Sequence, residues 1–314
     1  MDSIDTTSTS TPTPSSAGTL PSILCALAII FATMCFINRT GKAIKFYVKG
    51  FVALTVILFS ASYGMVASIF LSMVGRTHYA QYSVARLYYT LLSFLLGLRI
   101  DVDRPEILSK LPAVLICNHQ SEMDIYVLGK VFPPNCTVTS KKSLMYVPIL
   151  GWFMYLSGTF FLDRANREES VHTLDLALKD LKEREGGVYM FPEGTRSYSS
   201  TPTLLPFKKG AFHLAVQGQI PIIPLVVSNT SNIYSLKLHN FNRGTIKVRV
   251  LDPIPTVGLT KDDVSKLCHD TEEKMRAAVM ALGMSEVRGE PKKTTHLVGN
   301  TTYDESAPLL SSHK

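Results

Sequence analysis

The chain has 314 residues, a formal net charge of +7 and five cysteines. Only 18 % of its residues are charged, below the roughly 25 % usual for soluble proteins, and the cysteines, with no Cys-x-x-Cys pair, fit neither a disulfide scaffold nor a structural zinc site. Residues 1–100 hold seven Lys/Arg against two Asp/Glu and the remainder 25 against 23, so the surplus belongs to the N-terminus and argues against a nucleic-acid-binding body.

Residues 1–20 contain eleven Ser or Thr and two Pro, a composition that cannot offset its own ordering entropy and is expected to be disordered. Residues 21–37 and 51–75 carry no charge; the first is at the short limit for a membrane span and the second spans with tilt. A third apolar stretch, 84–98, is preceded or opened by Tyr79, Tyr82, Tyr88 and Tyr89 and reads as an interfacial helix, the alternative being a buried core helix. Residues 21–100 are thus expected to form a membrane anchor. Arg39, Lys42, Lys45 and Lys49 lie between the first two segments with no acid among them, which favours the cytosolic side for that loop. Arg76, Arg86 and Arg99 pull the other way, and topology stays open. Asn135-Cys-Thr137 is a glycosylation sequon whose use would mark the lumenal side.

From Asp101 the pattern changes to short β-rich runs: Ala113–Cys117, Cys136–Ser140, Thr159–Leu162, Val188–Phe191, Ile222–Val227 and Thr245–Leu251. Val171, Leu174, Leu178 and Leu181 recur at helical spacing until Gly186-Gly187. Thr260 and Asp263 form a capping box, and Val264, Leu267, Thr271, Met275 and Leu282 mark the inward face of the helix that follows. Residues 101–285 therefore read as one α/β domain. Residues 286–314 read as a disordered tail, containing the dileucine-like stretch Glu305 to Leu310.

Two motifs carry chemistry. Asn118-His119-Gln-Ser-Glu-Met-Asp124 follows the strand Ala113–Cys117, at a strand end, where catalytic groups of α/β sheets collect. His119 is a natural general base, and a carboxylate on its second nitrogen fixes the tautomer. The two meet only if His119 lies outside the helix that Ser121 and Asp124 open; otherwise Asp124 caps and His119 fills a turn. Phe191-Pro-Glu193-Gly194-Thr195-Arg196 follows the strand Val188–Phe191. The Pro-Gly turn, the Thr195 hydroxyl and the Arg196 guanidinium suit a phosphate, with Glu193 orienting Arg196 or accepting from a substrate hydroxyl. A plain turn with a surface ion pair is the alternative.

Weaker features follow. Gly158 to Arg164 is a strand ending in Asp163-Arg164, which adds a candidate anion ligand; Ile220 to Val227 is a Pro-bounded apolar strand for packing or an acyl-chain wall. Lys208-Lys209-Gly210 reads as a solvated turn, the alternative being added positive charge near a phosphate, and Cys117 as a structural thiol. No Gly-x-Ser-x-Gly, Walker A or Gly-x-Gly-x-x-Gly occurs, which disfavours serine hydrolases and NTP or dinucleotide folds.

Taken in order, the blocks Asn118–Asp124, Gly158–Arg164, Phe191–Arg196 and Ile220–Leu225, with Lys141 to Pro148 between them, resemble the glycerolipid acyltransferase family, most closely the 1-acyl-sn-glycerol-3-phosphate acyltransferases. The resemblance covers roughly residues 80–285. It implies a mixed-sheet, glycerol-3-phosphate acyltransferase-like α/β domain preceded by a helical membrane anchor. It implies transfer of an acyl chain from acyl-CoA, a co-substrate and not a resident cofactor, to the sn-2 hydroxyl of lysophosphatidic acid, with His119 as base and Asp124 holding it. Glu193, Gly194, Thr195, Arg196 and Arg164 are then the phosphate and glycerol ligands. No protein-bound metal is implied, and the expected location is integral to a membrane, the endoplasmic reticulum. A different lysophospholipid acceptor, or a binding module that has lost catalysis, are the alternatives.

Overall fold

The structure, a computed structural model, describes residues 19–163, 165–289, 297–298 and 301–302, with side chains for 41–163, 165–166 and 168–289. Of the 1–20 tail expected to be disordered, residues 19–20 are instead the start of a helix; residues 1–18, Arg164 and the dileucine-like stretch lie outside the described residues. The chain divides into units of residues 1–45 and 46–314.

Two apolar segments parted by a basic loop were expected, yet the backbone is helical from Thr19 to Met73, as α1. The intervening sequence explains this: residues 38–50 hold no Pro and no turn pair, and the isolated Gly41 and Gly50 each cost only about 1 kcal/mol of helix propensity. Among the described residues, Gly41–Met73 is long and apolar enough to cross a membrane, with a mean hydropathy of 2.0 over an 18-residue window. It is a candidate membrane anchor.

The larger unit continues with α2 (Tyr79–Leu96), β1 (Leu98–Asp103), β2 (Ala113–Cys117), α3 (Met123–Val131), β3 (Cys136–Lys141), α4 (Leu150–Leu156), β4 (Phe160–Leu162), α5 (Arg167–Glu183) and β5 (Gly187–Met190). Then come α6 (Gly210–Gly218), β6 (Ile222–Val227), β7 (Tyr234–Ser235), β8 (Asn240–Phe241), β9 (Gly244–Val250), α7 (Val264–Leu282) and β10 (Glu286–Val287). The main sheet runs β1-β9-β6-β2-β5-β3-β4, with β10 also on β9. The strands from β6 to β4 are mutually parallel, whereas β9 runs antiparallel to β6. This is the mixed α/β sheet expected. The domain edges differ from expectation: β1 starts at Leu98, and β10 puts Glu286 and Val287 in the sheet.

Alternation along β2 assigns the two faces. Leu115 and Cys117 pack with Tyr88 and Leu92 of α2 and Tyr126 and Val127 of α3. Val114 and Ile116 pack with Leu181 of α5, Phe212 of α6 and Met275 of α7. Full burial on both faces is why β2, β5 and β6 read as continuous apolar runs. The Thr260–Asp263 capping box is present one short 3₁₀ turn before α7.

The stretch expected to lie at the membrane interface is α2, and one of its faces is core. Gln81 is buried and joins three elements: its amide donates to the Ser157 carbonyl and the Thr159 hydroxyl, and its Oε1 accepts from Val138 N–H. Arg86, expected to help set topology, donates to the carbonyls of Gly129, Lys130 and Phe132, the natural place for a cation at the end of α3. Phe94 and Leu95, by contrast, are exposed. The sequon is consumed by the fold as well. Asn135 Nδ2 donates to the Arg184 carbonyl at 2.6 Å and its Oδ1 accepts from the Arg184 guanidinium, so a glycan there is incompatible with that pairing.

Helices α2 and α3 approach closely at Gly129, where an added Cβ would lie 2.7 Å from the Ala85 carbonyl oxygen. Gly129→Val is expected to force the helices apart and cost about 1–3 kcal/mol. Thermal denaturation of the full chain in detergent checks this; an unchanged midpoint would contradict the close approach.

Candidate active site

β2 and β5 are parallel neighbours, with Ile116 opposite Met190. Their carboxyl ends release two loops side by side, where ligands of open α/β sheets collect. His119 and Glu193 each lie three residues past that register point, and they meet: His119 N–H donates to Glu193 Oε1 at 2.7 Å. Two further backbone bonds, Ser197 N–H to His119 O and Tyr198 N–H to Gln120 O, fasten the loops together.

Alternation in the extended loop aims His119. The neighbouring side chains turn toward the end of β6: Asn118 exchanges two bonds with the Val227 backbone, and Gln120 donates to the Val227 and Ser228 carbonyls while accepting from Thr230 N–H. His119 turns the other way and lines the cavity. Its ring stacks on Phe191 with centroids 4.1 Å apart. Its Nδ1 donates to Asp124 Oδ2 at 2.7 Å, and the same oxygen accepts Gln120 N–H at 2.6 Å and Ser121 N–H at 3.1 Å. Asp124 is the second residue of α3 and 3 % exposed. Of the two arrangements open in the sequence, the paired one forms, with His119 outside the helix. With Nδ1 committed to Asp124, Nε2 is the nitrogen left for a ligand.

The second loop departs from expectation at Glu193. It neither touches Arg196 nor lines the cavity; it is 3 % exposed and braces backbone, accepting from His119 N–H and from Leu205 N–H at 2.9 Å. The physical reason is the register, which turns Glu193 toward β2. The partner of Arg196 is Glu122: Arg196 Nη1 donates to its Oε1 at 2.8 Å, and the Tyr198 hydroxyl donates to the same oxygen at 2.7 Å. Gly194, Thr195 and Arg196 line the cavity as expected of ligands. Gly194 has φ +70, and a Cβ there would meet the Lys208 side chain at 2.9 Å. Lys208 therefore covers the turn, and with Lys209 it lines the cavity while both stay exposed, so they are solvated and also bring positive charge beside the Gly194 turn. Its N–H donates to the Pro192 carbonyl, a return of the chain that sequence spacing does not reveal.

The cavity holds about 1210 Å³, above the roughly 300–1,000 Å³ of a typical small-molecule pocket. Its apolar lining comes from Ile57 and Ala61 of α1, Val84 and Tyr88 of α2, Leu128 of α3 and Phe153 of α4. The Pro-bounded strand β6 is wholly buried between β2 and β9 and forms no cavity wall. Cys117 is fully buried, and burial drives its thiol pKa far up, as a structural thiol requires. No group of three or more metal-ligating side chains exists among the described residues.

The sequence and the fold have relatives among known proteins. The Acyltransferase family matches residues 99–228. A 1-acyl-sn-glycerol-3-phosphate acyltransferase of Saccharomyces cerevisiae is 48 % identical over 240 residues, covering 76 % of this chain and 79 % of the relative. The chain belongs to the 1-acyl-sn-glycerol-3-phosphate acyltransferase family. A further member, the human 1-acyl-sn-glycerol-3-phosphate acyltransferase beta, is 35 % identical over 256 residues, covering 81 % of this chain and 90 % of that one. The crystal structure of the 1-acyl-sn-glycerophosphate (LPA) acyltransferase of Thermotoga maritima shares the fold at 22 % identity, with a TM-score of 0.58 over 78 % of this chain and 97 % of that one. The chain is thus an acyltransferase, with a mixed-sheet domain of that fold.

Burial pushes the Glu193 pKa up to about 7, against the pull of its two N–H donors. A carboxyl whose pKa rises on folding binds its proton more tightly in the folded chain. Its contribution to stability is therefore full below the ordinary carboxyl range and is lost as pH climbs through about 7. Glu193→Gln is expected to remove that slope, and to lower stability at acidic pH by about 1–3 kcal/mol, because one amide N–H then faces a backbone N–H. Denaturation midpoints at about pH 5 and pH 8 test both parts; parallel pH profiles for the two proteins would remove Glu193 as the titrating group.

Proposed function

We propose that the chain transfers an acyl group from acyl-CoA to the sn-2 hydroxyl of lysophosphatidic acid, giving phosphatidic acid and CoA for phospholipid and triacylglycerol synthesis at the endoplasmic reticulum. The observation that carries this reading is the His119–Asp124 pair, bonded at 2.7 Å and facing a cavity lined by apolar residues and by Arg196 and Lys208. The names of the relatives point to the same acceptor.

His119 Nε2 takes the proton of the acceptor hydroxyl as its oxygen attacks the thioester carbonyl. Asp124 holds the imidazole in the required tautomer and stabilises the imidazolium that forms. The tetrahedral intermediate collapses with cleavage of the C–S bond, and the imidazolium returns its proton to the departing CoA thiolate. No acyl-enzyme is required, because the thioester is already activated. Arg196, Lys208, the Thr195 hydroxyl and the backbone at Gly194 hold the acceptor phosphate. The wall formed by α1, α2 and α4 takes acyl chain, each buried methylene contributing about 0.8 kcal/mol. A cavity larger than one small ligand suits a reaction that joins two lipid-like substrates.

His119→Ala is expected to lower turnover about 10²–10⁴-fold, and Asp124→Asn to lower it comparably through the wrong tautomer, with membrane association unchanged. Near-normal CoA release from either variant in purified membranes would defeat the mechanism. Arg196→Ala is expected to raise the apparent KM for lysophosphatidic acid severalfold, less than the full worth of a charge-assisted bond of roughly 1.5–3 kcal/mol because the guanidinium exchanges Glu122 for the phosphate, and to leave the KM for acyl-CoA near its original value. A panel of lysophospholipid acceptors assayed with one acyl-CoA checks the acceptor; stronger activity on another headgroup would displace lysophosphatidic acid.

A further inference from the structure

The hairpin β7–β8 takes no part in the reaction above, and its surroundings are unusual. Residues 6–100 and 194–251 contain no Asp or Glu, and the hairpin joins these two runs. Phe46 stacks on Tyr234 with centroids 5.8 Å apart and meets His239 edge-on at 5.4 Å. The Tyr47 hydroxyl and His239 Nε2 are 3.3 Å apart, and Lys49 Nζ donates to the Phe241 carbonyl at 2.5 Å. The tip, Leu236-Lys237-Leu238-His239, is fixed to the first turns of the apolar stretch of α1, yet Leu236 and Leu238 are 51 % and 54 % exposed.

The sheet divides the molecule here. Ile233, Tyr234 and Phe241 belong to the core on the face that carries α1, α2 and α3, where Phe51, Phe59, Phe70 and Phe94 are also exposed. Helices α5, α6 and α7 cover the other face. An exposed pair of leucines flanking a lysine, in an acid-free stretch, suits a surface of apolar chains beneath negative headgroups.

We propose that the tip of this hairpin, Leu236 to His239, docks into the headgroup layer of an anionic bilayer, with Leu236 and Leu238 entering the acyl boundary and Lys237 and His239 among the phosphates. Tyr234, at the base of the tip, stacks on Phe46 of α1, the helix whose Ile57 and Ala61 line the cavity, and so ties the docked tip to the active site. The hairpin thereby sets the depth at which a membrane-resident anionic headgroup meets Arg196. Only this last step rests on the acceptor reading; the docking is measured without turnover, so the two can fail separately.

The test uses the full chain in vesicles of phosphatidylcholine with and without phosphatidylglycerol, in a Trp152→Phe background that removes the one native tryptophan. With Leu236→Trp added, emission is expected to shift to the blue and to be quenched by brominated acyl chains, more strongly when phosphatidylglycerol is present. Lys237→Glu is expected to reduce that quenching. Met280→Trp, on α7 across the sheet, is expected to stay unquenched and water-like. Water-like, unquenched emission from the Leu236→Trp protein would overturn the proposal. So would equal quenching at both positions, or quenching indifferent to phosphatidylglycerol and to Lys237→Glu.

Discussion

The chemistry of this chain hangs on the pairing of two parallel strands. Neither β2 nor β5 contains a reactive group, but their backbone bonds bring two loops, seventy-odd residues apart in sequence, out of the same sheet edge at the same height. Glu193 then reaches the amide of His119, and the carbonyls of His119 and Gln120 receive the two amides that follow Arg196. A slip of one residue would turn every side chain of β2 to the opposite face, moving Val114 and Ile116 into the core now filled by Leu115 and Cys117. The packing that enforces the register also fixes the position of His119. The geometry of the His119–Asp124 pair thus rests on apolar burial within the sheet together with the loops' own hydrogen bonds.

A similar economy joins the anchor to the site. The stretch of α1 from Phe46 onward has two apolar faces with different fates. Ile57 and Ala61 line the cavity, and Gly64 lets Phe153 and Val84 come within 2.4–2.7 Å of where a Cβ would lie. Phe51, Phe59, Val66 and Phe70 face outward. An exposed surface of that size costs free energy in water and nothing in lipid. In a bilayer that surface would stabilise the helix that walls the cavity, and would give the cavity an apolar approach.

Much of this was legible in the sequence, and the failures have physical causes. β2 and β6 fall on their expected residues because strands buried on both faces leave an uninterrupted apolar signature. The His119–Asp124 pair was legible because both members lie within one turn of chain. The role of α2 was not, since an apolar face reads alike whether it meets lipid or protein; Leu92 is buried while Phe94, two residues on, is exposed. Spacing suggested that Glu193 serves Arg196, three residues away, but β-register turns it to His119 and leaves Arg196 to Glu122. Lys208 shows the same limit: only the chain's return to Pro192 places it over Gly194.

The pairing of Arg196 with Glu122 changes what the guanidinium can contribute. An arginine waiting in water gains the full difference between hydration and a phosphate when an anion arrives. Arg196 already holds a carboxylate at 2.8 Å, and that carboxylate also accepts from Tyr198. An incoming anion must share or displace Glu122, so the gain from Arg196 is a difference between two charge-assisted bonds, each worth roughly 1.5–3 kcal/mol. In return, the guanidinium is held in place before the anion arrives and little side-chain entropy remains to be lost. Lys208, across the Gly194 turn, forms no ion pair among the described residues, so the attraction it would offer an anion need not be exchanged. For the proposed phosphate the geometry divides the labour: Arg196 would fix where the anion sits, and Lys208 would supply much of the reason for it to stay.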